Sequence, residues 1–121
     1  MATFKLGGKE YELKLTYESV KYLNKQCQNG ALELVGKALA GDFEIFPHVI
    51  HAGLFHAGKN FALETVENEI EKLFEEEKID MEYVMKTGKE VVADSFFYKS
   101  LLKKMMKDDP KAMEALEELL S

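Results

Sequence analysis

The first residues alternate between apolar and polar. Phe4 and Leu6 precede Gly7-Gly8-Lys9, and Tyr11, Leu13 and Leu15 follow. A period of two places Tyr11, Leu13 and Leu15 on one face of a strand. Gly-Gly supplies the positive φ of a tight hairpin turn. The pattern predicts strands near residues 3–6 and 10–15, packed on helices, because an isolated hairpin is marginal in water.

After Thr16 the spacing changes to threes and fours. Thr16 ends the second strand and can cap a helix carrying Val20, Leu23 and Cys27, which Asn29-Gly30 stops. A second helix is expected over about 31–40, with Leu32, Leu34, Val35, Ala38 and Leu39. Gly41 ends it, and Asp42 can cap the next helix. This third helix, over about 44–57, has a broad apolar arc of Ile45, Phe46, Val49, Ile50, Ala52, Gly53 and Leu54, with Pro47 tolerable in its first turn. That arc predicts the central buried helix. Gly58-Lys59-Asn60 breaks the chain.

A fourth helix opens at Glu64 or Thr65 with Val66, Ile70, Leu73 and Phe74 as its stripe. Asp80 caps a fifth, with Met81, Val84, Met85, Gly88, Val91, Val92 and Ser95 at helical spacing. Gly88 costs about 1 kcal/mol there relative to Ala. A kink or a close neighbour would explain it. Phe96-Phe97-Tyr98, Leu101-Leu102 and Met105-Met106 then sit among Lys99, Lys103, Lys104 and Lys107. Asp109-Pro110 opens a short terminal helix over 111–120. The expected fold is mainly α: five to six helices with a small N-terminal β-hairpin. Its expected division is a helical domain over 1–98 and a C-terminal helical extension over 99–121.

The length of 121 residues fits one modest core. The net charge is −6, and every basic residue is Lys. An acidic chain without Arg is poorly suited to gripping a polyanion or reading bases, so no nucleic-acid partner is expected. No stretch approaches the ~20 apolar residues of a membrane span, and the N-terminus lacks a signal peptide's apolar run, so a cytoplasm is the expected compartment. Cys27 is the only cysteine, which excludes an internal disulfide and fits a reducing compartment. Charge is uneven: residues 1–60 hold seven Lys and six acids, residues 61–121 nine Lys and 16 acids. The second half is therefore polarised, with Glu64 to Glu82 acidic and Lys99 to Lys107 basic.

Candidate chemistry is thin. Glu44, His48 and His51 fall on one helical face and are of metal-ligating types, but Pro47 disturbs the turn, a fourth ligand is unassigned and His56 lies too far around. Cys27 sits in an apolar stripe and reads as a small core residue. Ser95 lacks the Gly-x-Ser-x-Gly elbow, Gly7-Gly8 lacks a phosphate loop's ending, and Glu75-Glu76-Glu77 lacks the alternation of a calcium loop. No catalytic, cofactor or metal residues are assigned, and a binding protein is expected rather than an enzyme. The informative cluster is Phe96, Phe97, Leu101, Leu102, Met105 and Met106. Flexible Met beside aromatics suits an adaptable partner-binding surface. The lysines beside it can pair with an acidic helix such as Glu67 to Glu77 of a neighbouring copy, head to tail.

The order of features resembles a family. It runs from Phe4 to Thr16 through Val20-Lys21-Tyr22-Leu23-Asn24, Gly30-Ala31-Leu32-Glu33-Leu34 and Ala40-Gly41-Asp42. It continues through Val49-Ile50-His51-Ala52-Gly53-Leu54, Leu63 and Thr65-Val66-Glu67 to Ser95-Phe96-Phe97. Over about residues 3–98 this resembles the tail assembly chaperones of long-tailed phages and prophages of Gram-positive bacteria. The resemblance implies a chaperone that coats the tape measure protein, helps recruit tail tube subunits and leaves before the tail matures. It also implies action in the bacterial host cytoplasm and a longer frameshifted form that meets the tube protein, so that a stop after Ser121 marks the short form. No family motif fixes interaction residues, so the site choice rests on the apolar cluster. The alternative is a small phage regulatory adaptor or DNA-associated factor without enzymatic activity.

Overall fold

The computed structural model describes the backbone of residues 1–108 and the side chains of residues 1–104. The expected terminal helix over 111–120 and its Asp109-Pro110 cap lie outside the described residues.

Two strands, β1 (Thr3–Leu6) and β2 (Lys9–Glu12), form an antiparallel hairpin with Phe4 opposite Tyr11. Gly7 and Gly8 take φ of 60° and 80°, as the two-residue turn requires. β2 stops at Glu12, three residues short of the expected end. The chain there leaves its partner strand for the helices: the Leu13 amide still donates to Ala2, but the Lys14 amide donates to the Gly53 carbonyl at 3.0 Å. A Cβ on Gly53 would come within 3.1 Å of the Leu13 side chain, so glycine lets the hairpin seat against that helix end.

Among the described residues six α-helices follow: α1 (Tyr17–Lys25), α2 (Ala31–Ala40), α3 (Phe46–Gly53), α4 (Leu63–Glu75), α5 (Met81–Asp94) and α6 (Phe96–Asp108). The fold is mainly α with an N-terminal hairpin, as the pattern predicts. Thr16 caps α1 in a reciprocal box with Ser19. Ser19 is fully buried and also donates to the Ala52 carbonyl at 2.7 Å, which joins α1 to α3. Asp80 caps α5 by accepting from the Tyr83 amide. Asp42 accepts from the amides of Glu44 and Ile45, shaping the turn into α3.

Some boundaries differ from expectation. α1 ends at Lys25, and Gly30 serves instead as the N-cap of α2. α3 is shorter than 44–57, because residues 43–45 form a turn and residues 55–57 a single 3₁₀ turn. Phe46, Val49, Ile50, Ala52 and Leu54 are all buried, with α1, α4 and α5 packed around α3. α3 is thus the central helix that its arc predicts. Gly88 marks a close neighbour rather than a kink: a Cβ there would lie 2.6 Å from the Ala38 carbonyl oxygen of α2.

Candidate functional site

The expected partner-binding cluster lies on α6, whose first turn is locked down by one residue. Tyr98 is fully buried, and its hydroxyl donates to Asn24 Oδ1 of α1 at 2.8 Å. Burial, and to a lesser degree neighbouring Cys27, pushes the Tyr98 phenol up, so it stays protonated and donating. Leu102, four residues on, is also buried, and Leu101 is half-buried against the core. These residues form the docking stripe of α6. Phe96 is 87% exposed and Phe97 45%. Lys99, Ser100, Lys103 and Lys104 are exposed as well.

The six predicted residues therefore divide. Phe96 projects from the molecule, and Phe97 is half-exposed with its ring edge to face on Tyr98. Leu101 and Leu102 hold α6 in place. Met105 and Met106 lie on α6 beyond the described side chains. Sequence reasoning missed Tyr98 as the anchor, although its spacing to Leu101 and Leu102 marks them as one helical face.

A second apolar surface was not anticipated. Phe74, expected in the core stripe of α4, is 56% exposed, because the last turn of α4 runs past the core formed by Val66 and Ile70. Met81, expected in the stripe of α5, is 58% exposed. Phe43, in the turn before α3, reaches Phe74 with ring centroids 5.9 Å apart. Together with Ile79, Asp80 and Val84 these residues line an open groove of about 250 Å³. Asp80 is the one polar residue among its described lining residues. The sequence signal was a phenylalanine set directly before a run of three glutamates, where a core stripe has already ended.

The candidate metal residues are not assembled. Glu44 is exposed, while His48 Nδ1 lies 2.7 Å from the Tyr22 hydroxyl. His51 and Phe55 meet the same tyrosine edge to face, and His51 Nδ1 is buried without a partner. Burial lowers the pKa of both imidazoles; Glu67 partly offsets this at His48, and His48 adds to it at His51. Burial also raises Tyr22, which keeps its proton and can donate to a neutral His48. This is an aromatic packing cluster between α1 and α3. Among the described residues no three His, Cys, Asp or Glu side chains gather as metal ligands. The Cys27 thiol is buried, and burial followed by Glu33 pushes it away from thiolate. His56, remote from that face, pairs its Nε2 with the Glu12 carbonyl at 2.6 Å.

The described residues define a small, mainly α protein whose distinctive surface features are apolar: an aromatic knob at the start of α6 and a groove beside α4 and α5. The family model described as phage tail assembly chaperone protein, TAC, matches residues 3–107, and the chain belongs to that family. The match runs from the first strand into the end of α6, so knob and groove both lie within it. No curated protein and no solved structure matches the chain. Among the described residues no helix is long and apolar enough to cross a membrane.

Proposed function

We propose that this chaperone of tail assembly acts on the phage tape measure protein, keeping it soluble and helping to recruit tail tube subunits. In this reading it works in the bacterial host cytoplasm, self-associates and is absent from the mature virion. A longer form, where one is made, meets the tube protein. The observation that carries the reading is the Phe96–Phe97 pair, exposed on a helix that Tyr98 and Leu102 anchor to the core. Exposed aromatics on an anchored helix suit a holdase, because contact area is gained with less to order. Residues 1–98 then form the chaperone domain, and 99–121 an extension that continues the partner-binding surface begun at Phe96 and Phe97. α6 runs continuously across residue 98, so that division is one of role.

Co-expression with the tape measure protein of the same phage tests the reading. Phe96→Asp with Phe97→Ala should lower recovery of the complex about tenfold or more, the loss of an aromatic anchor. Unchanged recovery from a folded variant would remove this cluster as the client surface. A gene placed between the tube and tape measure genes is the expected location; one beside early regulators would sink the tape measure reading.

A further inference from the structure

The hairpin has two outer edges, and the molecule uses only one of them. The Leu13 amide donates to the Ala2 carbonyl at 2.9 Å, so Ala2 and Leu13 are a bonded pair. Bonded and non-bonded pairs alternate along an antiparallel ladder. Phe4 with Tyr11 and Leu6 with Lys9 are then bonded pairs as well. Thr3 and Lys5 of β1, like Glu10 and Glu12 of β2, therefore turn their N–H and C=O groups outward. On the β2 side these groups find partners: His56 Nε2 meets the Glu12 carbonyl, and the Lys14 amide beyond it donates to Gly53. On the β1 side, among the described residues, no backbone bond from outside the hairpin reaches Thr3 or Lys5.

The open edge borders a cleft. A cavity of about 320 Å³ is lined by Met1, Ala2 and Thr3 and by Tyr83, Lys86, Thr87 and Glu90 of α5. Hydroxyl, ammonium and carboxylate groups meet there. A strand added beside β1 would send alternate side chains toward this cleft. The lining suits neutral polar side chains, Ser, Thr, Asn or Gln, which can answer both donors and acceptors. A second copy of this chain cannot offer them from its own β1. The inward side chains of that strand, Ala2, Phe4 and Leu6, are already buried in its core. The unpaired backbone groups and the polar cleft thus point to an extended segment of a different protein.

We propose that β1 is a strand-addition site: an extended segment of another protein pairs with the outward groups of Thr3 and Lys5 and places a neutral polar side chain in the cleft beside α5. Main-chain hydrogen bonds supply the affinity, and the cleft supplies the selectivity. β1 is only four residues long and carries Lys5, features that discourage chance pairing at an edge. Pairing therefore depends on the added contact in the cleft. The site lies on elements other than the Phe96–Phe97 surface of α6, so it stands apart from the client reading.

The test screens the purified full-length chain against a displayed library of random peptides long enough to form a strand. Selected peptides should share a neutral polar residue at one position. They should slow hydrogen exchange of the Thr3 and Lys5 amides about tenfold or more. The Phe4 and Leu6 amides, already bonded within the hairpin, should change little. Lys5→Pro removes one outward N–H and breaks no hairpin bond, since an edge strand tolerates proline. Lys5→Ala keeps that N–H and is its control. Lys5→Pro should weaken the selected peptides about tenfold or more, and Lys5→Ala should not. Thr87→Val should relax the polar preference, because the cleft loses a hydroxyl. The exchange measurement uses the wild type, so it decides the matter even where Lys5→Pro fails to fold. Three results overturn the proposal: no peptide is selected, bound peptides leave Thr3 and Lys5 exchange unchanged, or folded Lys5→Pro binds as well as Lys5→Ala. A polar preference that survives Thr87→Val would remove the cleft from the site. A complex between copies that Lys5→Pro dissolves without any peptide would assign the edge to a second copy and overturn the proposal as well.

Discussion

α3 and α6 carry similar apolar runs and end in different places. In α3 the run is absorbed completely: Phe46, Val49 and Ile50 are at most 2% exposed. In α6 Tyr98 and Leu102 are buried, while Phe96, two residues before Tyr98, is 87% exposed. The difference is the number of neighbours. α3 is surrounded by α1, α4 and α5, so nearly every face meets protein. α6 docks on α5 and α2 along one side, and among the described residues nothing closes over Phe96 on its other face. An apolar run therefore marks burial only where elements distant in sequence close over it. Where they do not, the same chemistry becomes a surface for binding.

The contrast can be broken most sharply by truncation. Phe46→Ala should cost about 3–5 kcal/mol, because a large fully buried side chain leaves a cavity. Urea denaturation would show it as a lowered midpoint. Gly88→Ala should cost about 1–3 kcal/mol although alanine is the better helix former, because its Cβ meets the Ala38 carbonyl. A stabilised Gly88→Ala protein would mean that α5 and α2 pack less closely than this contact requires.

Tyr98→Phe should cost about 1 kcal/mol, since the ring remains but Asn24 loses its donor. Hydrogen exchange should quicken in α6 before α1 or α3. Uniform quickening would place α6 in the same cooperative unit as the centre.

A smaller effect comes from pH. Both His48 and His51 have folded-state pKa values lowered by burial, so the unfolded chain binds protons more readily. Their contribution is fully present above the unfolded value of about 6.5 and declines as pH falls below it. It levels off once the lowered folded values are passed. The His48→Gln, His51→Gln pair should flatten stability just below about pH 6.5, against a sloping wild type. Equal slopes would show that the cluster between α1 and α3 is more solvated than its packing implies. The smallest effect belongs to Phe96→Ala, within about 0.5 kcal/mol of wild-type stability. Paired with Phe46→Ala, it measures the contrast between the two helices directly.

Much of the fold was legible because its signals are local. Thr16 with Ser19, Asp80 with Tyr83, and Gly7-Gly8 act within a few residues, so the helix starts and the hairpin turn could be placed. The third helix was overestimated because Ile45 and Phe55 continue its apolar pattern through segments that form turns instead. The candidate site was half legible. The apolar cluster of α6 was visible as composition, but its division into anchors and knob was not. The groove went unseen because its members come from three separate stretches.

The sequence by itself determined where the capped helices α1 and α5 begin, where the hairpin turns, and that charge is segregated into an acidic and a basic stretch. Those properties depend on backbone dihedrals, near-neighbour hydrogen bonds and residue identity. Only the tertiary structure decided which apolar residues are covered. Phe46 and Phe74 are the same residue type at helical spacing, yet one is enclosed and the other half open. Burial depends on what the rest of the chain brings to a side chain, and no periodicity within one helix contains that information.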